Sequence, residues 1–361
     1  MTSFLVILIS TPLACWLTER LLARAIQRAH EQGALDHPTE RGSHTRPTPR
    51  AGGRAFAPVV IGAALIAALS RLLASSDTPG FHTAALWALV LGGTAAAVIG
   101  HWDDIHRLGV RPKLIGQAVA AALAALLIGH FSAIRLAGLH VPLPEPLNVL
   151  LAFVCVGWMM NVVNFMDGMD GLVSTFVLAC LAAFALLLAL HAPGAAELLL
   201  TPAALAGALL AFHRRNVAAD VREKTFMGDC GSQFLGLAVM VFALVCGRQA
   251  ATGVADLTPA LILFFPFLYD TTVTLVRRLQ KGANILEAHH EHLYQRHLEL
   301  GESHDAVLRD WSGMLARQLA LAVLAIVFGS GSLVGWAALL VSPVPILRYH
   351  HTICERESIP E

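Results

Sequence analysis

The stretch "NVVNFMDGMDGL", Asn161 to Leu172, decides how this chain is read. It places Asn161, Asn164, Asp167 and Asp170 three residues apart at the end of a long apolar run. A carboxylate inside a bilayer is costly, so a run that ends this way points to the edge of a membrane. Spacing by three drifts by about 60° per step around an α-helix, so four such residues cannot share one site on one regular helix. Gly168 and Gly171 permit a break. Asn164 and Asp167 are therefore expected near a helix end, with Asp170 in the turn or at the next helix start. One such residue would suffice to cap a helix; four exceed that need.

Working outward, apolar segments of this kind recur. The chain has 361 residues, 56% hydrophobic and only 14% charged, with a mean hydropathy of +0.64. This is the composition of a polytopic membrane protein rather than a soluble or nucleic-acid-binding one. Spans need roughly 20 mostly apolar residues. Candidates lie near 4–26, 55–74, 82–100, 113–130, 147–165, 172–191, 197–213, 233–248, 258–276, 314–328 and 331–347. The last two form a hairpin around "GSGS", so the count is ten or eleven. The fold class is all-α, a single integral-membrane domain over 1–361. The N-terminal run has no preceding positive charge, which suits a retained first helix rather than a signal peptide.

With the N-terminus outside, only Arg71, Arg135 and Arg248 fall on the outer side; the other Lys and Arg residues face the cytoplasm. The same threading brings "GHWDDIHR", "NFMDGMDGL", "FMGDCGS" and "EAHHEHLYQRH" out on the cytoplasmic side. A transporter places its polar groups near the bilayer midplane, often in repeated halves. Clustering at one face without a clear repeat favours an enzyme of the inner surface, with an ion-coupled transporter as the alternative. The six cysteines form no CxxC pair and read as packing residues.

Asp103 and Asp104 are neighbours, about 100° apart on a helix, so they serve different partners. One faces a metal or phosphate, the other a base such as Lys113 or Arg107. "FMGDCGS", Phe226 to Ser232, is a Gly-rich turn around Asp229 just before an apolar helix. There, backbone amides could approach an oxyanion and Asp229 could hold a phosphate-bridging cation. His289, His290, His292 and His297 crowd one loop with Arg296. This is not HExxH, since Tyr294 takes the second His position, so phosphate donors are favoured over a zinc hydrolase. The loop Asp36 to Gly53 is stiffened by Pro38, Pro47 and Pro49 and made basic by Arg41, His44, Arg46 and Arg50. It serves either the positive-inside rule or an anionic substrate.

In this order the motifs resemble the polyprenyl-phosphate N-acetylhexosamine-1-phosphate transferases (glycosyltransferase family 4), from about Asp36 to Gly301. The family pattern of a proline-rich GG loop, DD, NxxNxxDGxDGL, FMGDxGS and a His motif falls on Asp36–Gly53, Asp103–Asp104, Asn161–Leu172, Phe226–Ser232 and His289–Arg296. "HHEHLYQR", with Glu291 where relatives often carry histidine, looks closer to the WecA/WbpL-like branch than to the muramoyl-pentapeptide branch. The resemblance implies transfer of a sugar 1-phosphate from a UDP-N-acetylhexosamine to undecaprenyl phosphate, releasing UMP and initiating a surface polysaccharide such as an O-antigen. The sugar would be N-acetylglucosamine or a deoxy relative, N-acetylfucosamine or N-acetylquinovosamine. It implies Mg2+, replaceable by Mn2+, on Asn164 and Asp229. Asp103 would assist the lipid phosphate and Asp104 support the site. Asp167, Asp170 and Phe226 would lie at the nucleotide, His289, His292 and Arg296 at the phosphates. Asn216 is the counterpart of an asparagine that relatives carry closer to FMGD. The enzyme would sit in a bacterial inner membrane; a homodimer is left open.

Overall fold

The computed structural model describes residues 2–36, 46–74, 80–191, 196–220, 222–248, 253–285, 287 and 289–358. Pro38, Arg41 and His44 of the first basic loop lie outside the described residues. The elements are α1 (Thr2–Gln32), α2 (Gly52–Ala74), α3 (Phe81–His106), α4 (Val110–Ile128), β1 (Ala133–Leu136), β2 (Leu139–Pro142), α5 (Glu145–Met166), α6 (Leu172–His191), α7 (Leu200–Asn216), α8 (Gly228–Gly247), β3 (Val254–Asp256), α9 (Thr258–Gln280), α10 (Leu293–Glu299), α11 (His304–Phe328), α12 (Leu333–Val341) and α13 (Val344–Glu357).

Ten helices are long and apolar enough to cross a membrane. In lipid a spanning segment must satisfy its own backbone, and helices do so. All eleven expected positions are helical. The seventh, α7, has 17 residues and follows a single 3-10 turn, Ala196–Leu199. The final span is α12 continued by α13. Pro343 cannot donate to the Leu339 carbonyl, and the Ser342 hydroxyl donates to it instead at 2.8 Å. α11 starts at His304, ten residues ahead of the expected span, because Ser303 caps it by accepting the Ala306 amide at 3.2 Å.

The bundle is organised around α8, whose apolar window is wholly buried in protein. A helix apolar on every side belongs in a core. α3 and α5 run antiparallel along it. Gly100 of α3 sits where an added Cβ would lie 2.3 Å from the Asp229 carbonyl. Gly236 of α8 sits where one would lie 2.5 Å from the Met160 Cα of α5. Close approach at these two points sets the register that brings α3, α5 and α8 to the same end. The opposite end carries a small sheet in the order β2-β1-β3, antiparallel then parallel. These short strands, with no long alternating pattern, are the one addition to an all-helical expectation.

Candidate active site

The first turn of a helix leaves backbone amides without intrahelical partners. At α8 two of them go to Asp104: its carboxylate accepts the Asp229 amide at 2.9 Å and the Cys230 amide at 3.1 Å. The amides expected to meet an oxyanion are thus held by the chain's own carboxylate, which suits the positive end of the helix dipole. Asp103, one residue earlier on α3, points elsewhere. It accepts the Leu108 amide at 2.8 Å, closing the α3–α4 connection where Arg107 turns left-handed (φ 49°). It also pairs with Lys113 Nζ at 2.8 Å.

Lys113 reaches further. The same ammonium lies 2.9 Å from Asp229 Oδ1, bridging the two carboxylates. That oxygen also receives the Asn164 amide of α5, whose nitrogen donates to Ser232 Oγ at 2.9 Å as well. The pairs Met160–Gly236 and Asn164–Ser232 follow one antiparallel register, so the packing of α5 on α8 delivers Asn164 to Asp229. Asn161 is turned back onto the Gly157 carbonyl at 2.8 Å and takes no part. α5 ends at Met166, Asp167 is its C-cap and Asp170 lies in the following turn. Burial, reinforced by the charges of Asp229 and Asp104, holds the Asp167 carboxyl well above its ordinary range.

The first loop is zipped onto the FMGD turn. Phe226 N–H and the Thr225 hydroxyl donate to the Pro49 carbonyl at 2.8 and 2.9 Å, Gly52 N–H to Phe226 O at 2.9 Å, and Gly53 N–H to Met227 O at 2.9 Å. This backbone ladder sets Arg50 beside Asp36, at 2.9 Å, and 3.8 Å from Asp104. In the extended run ahead of α8, Lys224 and Phe226 share a side. Lys224 Nζ lies 6.0 Å from the Phe226 ring centre and pairs with Asp170. Asn216 is buried. It accepts the Gly171 amide at 2.7 Å and donates to Asp170 at 3.2 Å and to the Thr225 carbonyl at 3.1 Å, tying the Asp170 turn to the FMGD segment.

These elements enclose a cavity of about 980 Å3. Asn164, Asp167, Asp170, Asn216, Phe226 and Asp229 line it, with Arg46 and Arg50 from the first loop. Arg107 and His290, named from the sequence as a basic partner and as one of the clustered histidines, line it as well; Lys224, Gln295, His304 and Asp305 also line it and were not among the residues the sequence singled out for the site. Lys224 carried a signal, since alternation in an extended run puts it beside Phe226. His304 and Asp305 carried none, because the helix they open looked like a connection.

The His segment needs correction. His292 is buried against α9: its Nδ1 lies 3.0 Å from Asp270 Oδ1, and it caps α10 together with Gln295. Asp270 also accepts the Leu293 amide at 3.0 Å. Arg296 is buried too, its guanidinium forked onto Glu357 of α13. Neither lines the cavity, because each is taken by a carboxylate from another helix. His289 stacks on His292 at 5.0 Å between ring centres, and burial beside His292 and Arg278 pulls its imidazole down to about 4. Within this segment His290 is the histidine at the cavity wall. Glu291 is turned to α9, on Arg278 and Lys281.

Two carboxylates, an amide and a shared cation, beside a cavity lined by both cationic and acidic side chains, are groups that can handle a phosphate. The sequence profile for glycosyl transferase family 4 matches residues 86–247, the segment that carries Asp103, Asp104, Asn164, Asp167, Asp170 and Asp229. The decaprenyl-phosphate N-acetylglucosaminephosphotransferase of Mycolicibacterium smegmatis is 32% identical over 345 residues, covering 88% of this chain and 82% of that protein. Its namesake in Mycobacterium tuberculosis is 30% identical, covering 89% and 84%. The phospho-N-acetylmuramoyl-pentapeptide-transferase of Limosilactobacillus reuteri is 28% identical, with a smaller share covered, 62% and 67%. Matched nearly end to end by transferases and carrying the profile across its own central carboxylates, this membrane protein belongs to glycosyl transferase family 4.

Proposed function

We propose that the protein transfers N-acetylglucosamine 1-phosphate from UDP-N-acetylglucosamine to undecaprenyl phosphate, or a polyprenyl phosphate of similar length, at the cytoplasmic face of a bacterial inner membrane. An oxygen of the lipid phosphate attacks the sugar-bearing phosphorus. A P–O bond forms there, the bond to the bridging oxygen breaks, and UMP leaves with that oxygen. The lipid phosphate is already an anion at neutral pH, so no base is needed to generate the nucleophile. Asp103, held by Lys113 and the Leu108 amide, is assigned to positioning Lys113 rather than to accepting a proton. Arg50 and Lys224 offer cations along the cavity for the diphosphate and the incoming phosphate, and Lys113 offers one behind Asp229. Phe226 offers a ring face for the base.

Magnesium fits the donor set. Asp229 offers a carboxylate, and a half-turn of the Asn164 amide presents its oxygen beside it. The Lys113 ammonium already marks the place where a cation is stabilised. Among the described residues no three His, Cys, Asp or Glu side chains gather as a metal-binding group. Magnesium accepts one or two protein oxygens and takes its remaining ligands from water and phosphate. When bound, it would neutralise charge on the diphosphate as it transfers.

The observation that carries this reading is the Asp103–Lys113–Asp229–Asn164 chain, whose Asp229 and Asn164 end lines the cavity. The orientation is supported by the distribution of Lys and Arg along the chain. The test is to incubate purified protein with undecaprenyl phosphate, Mg2+ and a panel of UDP-sugars including UDP-N-acetylglucosamine, N-acetylfucosamine and N-acetylquinovosamine. UMP should appear with UDP-N-acetylglucosamine; no UMP with any sugar sinks the proposal. The product would feed reactions that extend a lipid-linked glycan.

A further inference from the structure

The C-terminal helix α13 belongs to none of the motifs above, yet its inward face is unusually polar. Ile346, Tyr349, His350, Ile353 and Glu357 fall on one side at helical spacing. Ile346 and Ile353 are fully buried, and the three polar members each reach a neighbouring helix. Glu357 takes the forked guanidinium of Arg296. Tyr349 meets His297 Nδ1 at 2.9 Å. His350 meets Tyr269 of α9 at 2.9 Å. Beside this face Arg356 adds bonds to Glu302 at 2.7 Å and to the Leu300 carbonyl at 3.1 Å. Arg296 and His297 are each only 6% exposed, so α10 is held from its buried side, while Glu357 and the Arg356–Glu302 pair lie toward the surface.

α10 has two turns and could not stand alone. One end is held by Asp270, through His292 and the Leu293 amide. Its other side is held by α13. Gln295 lies between these attachments and His290 just ahead of the first, and both line the cavity. We propose that α13 is a clamp for the His segment, with Glu357 and Tyr349 as positioning residues that keep His290 and Gln295 at the cavity wall. The clamp's catalytic consequence rests on the transferase reading of that cavity.

Two measurements test it. The first is amide hydrogen exchange in the full-length protein. Glu357→Gln should speed exchange within 293–299 about tenfold or more, Glu357→Asp should restore most of the protection, and Glu355→Gln, on the exposed face of α13, should match wild type. The second is a double-mutant cycle on UMP release. Glu357→Gln alone should lower kcat/KM roughly tenfold. His290→Ala should cost at least about fivefold less in the Glu357→Gln background than in wild type, because both act through the same group. A purely structural helix would give effects that multiply. Unchanged exchange within 293–299, faster exchange in Glu355→Gln, or multiplicative losses would each overturn the clamp. If wild type itself releases no UMP, the transferase reading fails, while the exchange comparison still judges the clamp.

Discussion

Lys113 Nζ donates to Asp229 Oδ1 at 2.9 Å, joining the start of α4 to the start of α8 across 116 positions of sequence. The same ammonium holds Asp103, so one cation bridges two carboxylates that would otherwise repel and leaves the trio one negative charge in excess. Removing it from a largely buried group costs about 3 kcal/mol, unless another cation takes its place. Lys113→Ala should therefore lose stability in metal-free buffer and regain it with Mg2+. The Mg2+-induced rise in melting temperature should exceed that of wild type. An equal or smaller rise would show that the carboxylates do not form a cation site.

Asp229→Asn keeps the shape of the side chain and its hydrogen bond to Asn164 but removes the charge. Turnover should fall at least about a hundredfold, with the fold intact by thermal unfolding. Activity near wild type in Mg2+ would refute a metal or phosphate role for Asp229.

Asp104 does a helix cap's work from a distance, accepting two amides of α8. Asp104→Ala should cost about 1–2 kcal/mol of stability, read by denaturant or thermal unfolding in detergent. Asp104→Asn should cost less, since its side-chain oxygen can still accept one amide. If Asn proves as damaging as Ala, the charge rather than the hydrogen bond carries the effect.

Two groups titrate in opposite senses in the ligand-free protein. The Asp167 carboxyl is raised by burial and by Asp229 and Asp104, so its contribution is present below the ordinary carboxylate range and is lost as pH rises through its folded pKa. Asp167→Asn should flatten that loss. The His289 imidazole is lowered to about 4, so its contribution is full above its ordinary value near 6.5 and is lost as pH falls from there toward 4. His289→Gln should flatten the acid side. Unfolding midpoints between pH 4.5 and 8 measure both, and parallel curves for variant and wild type would contradict the assignment.

Gly168 lies under Tyr294. An added Cβ there would sit 2.1 Å from the phenol oxygen and 3.2 Å from the ring carbon that bears it. Gly168→Ala should displace the Asp167–Asp170 turn and cut activity about tenfold or more. Tyr294→Phe in the same chain removes the nearer atom and should recover much of it. No recovery would place the damage elsewhere than in this contact.

How much of this was legible differs residue by residue. The break after Met166 could be read from a three-residue spacing that a 3.6-residue helix cannot keep in register. Helices were legible because apolar length is a strong signal. Asp270 was not, since one carboxylate inside an apolar run disappears into the average of the span. Arg296 misled for the opposite reason. A guanidinium in a histidine-rich loop looks like a phosphate ligand until Glu357, far along the chain, is seen against it. His290, His292 and their neighbours carry the same residue type, and only the direction set by the α10 cap separates the one at the wall from the one on Asp270.

A final consequence follows from α8 being enclosed by protein along its whole apolar window. A helix that touches lipid must adjust its tilt to the thickness of the bilayer. α8 has no such contact, so the depth of Asp229 is referenced to α3 and α5 instead of to the membrane. Hydrophobic mismatch should then deform the outer helices and leave the spacing of Asp104, Lys113, Asn164 and Asp229 unchanged, making the chemistry indifferent to thin and thick membranes alike.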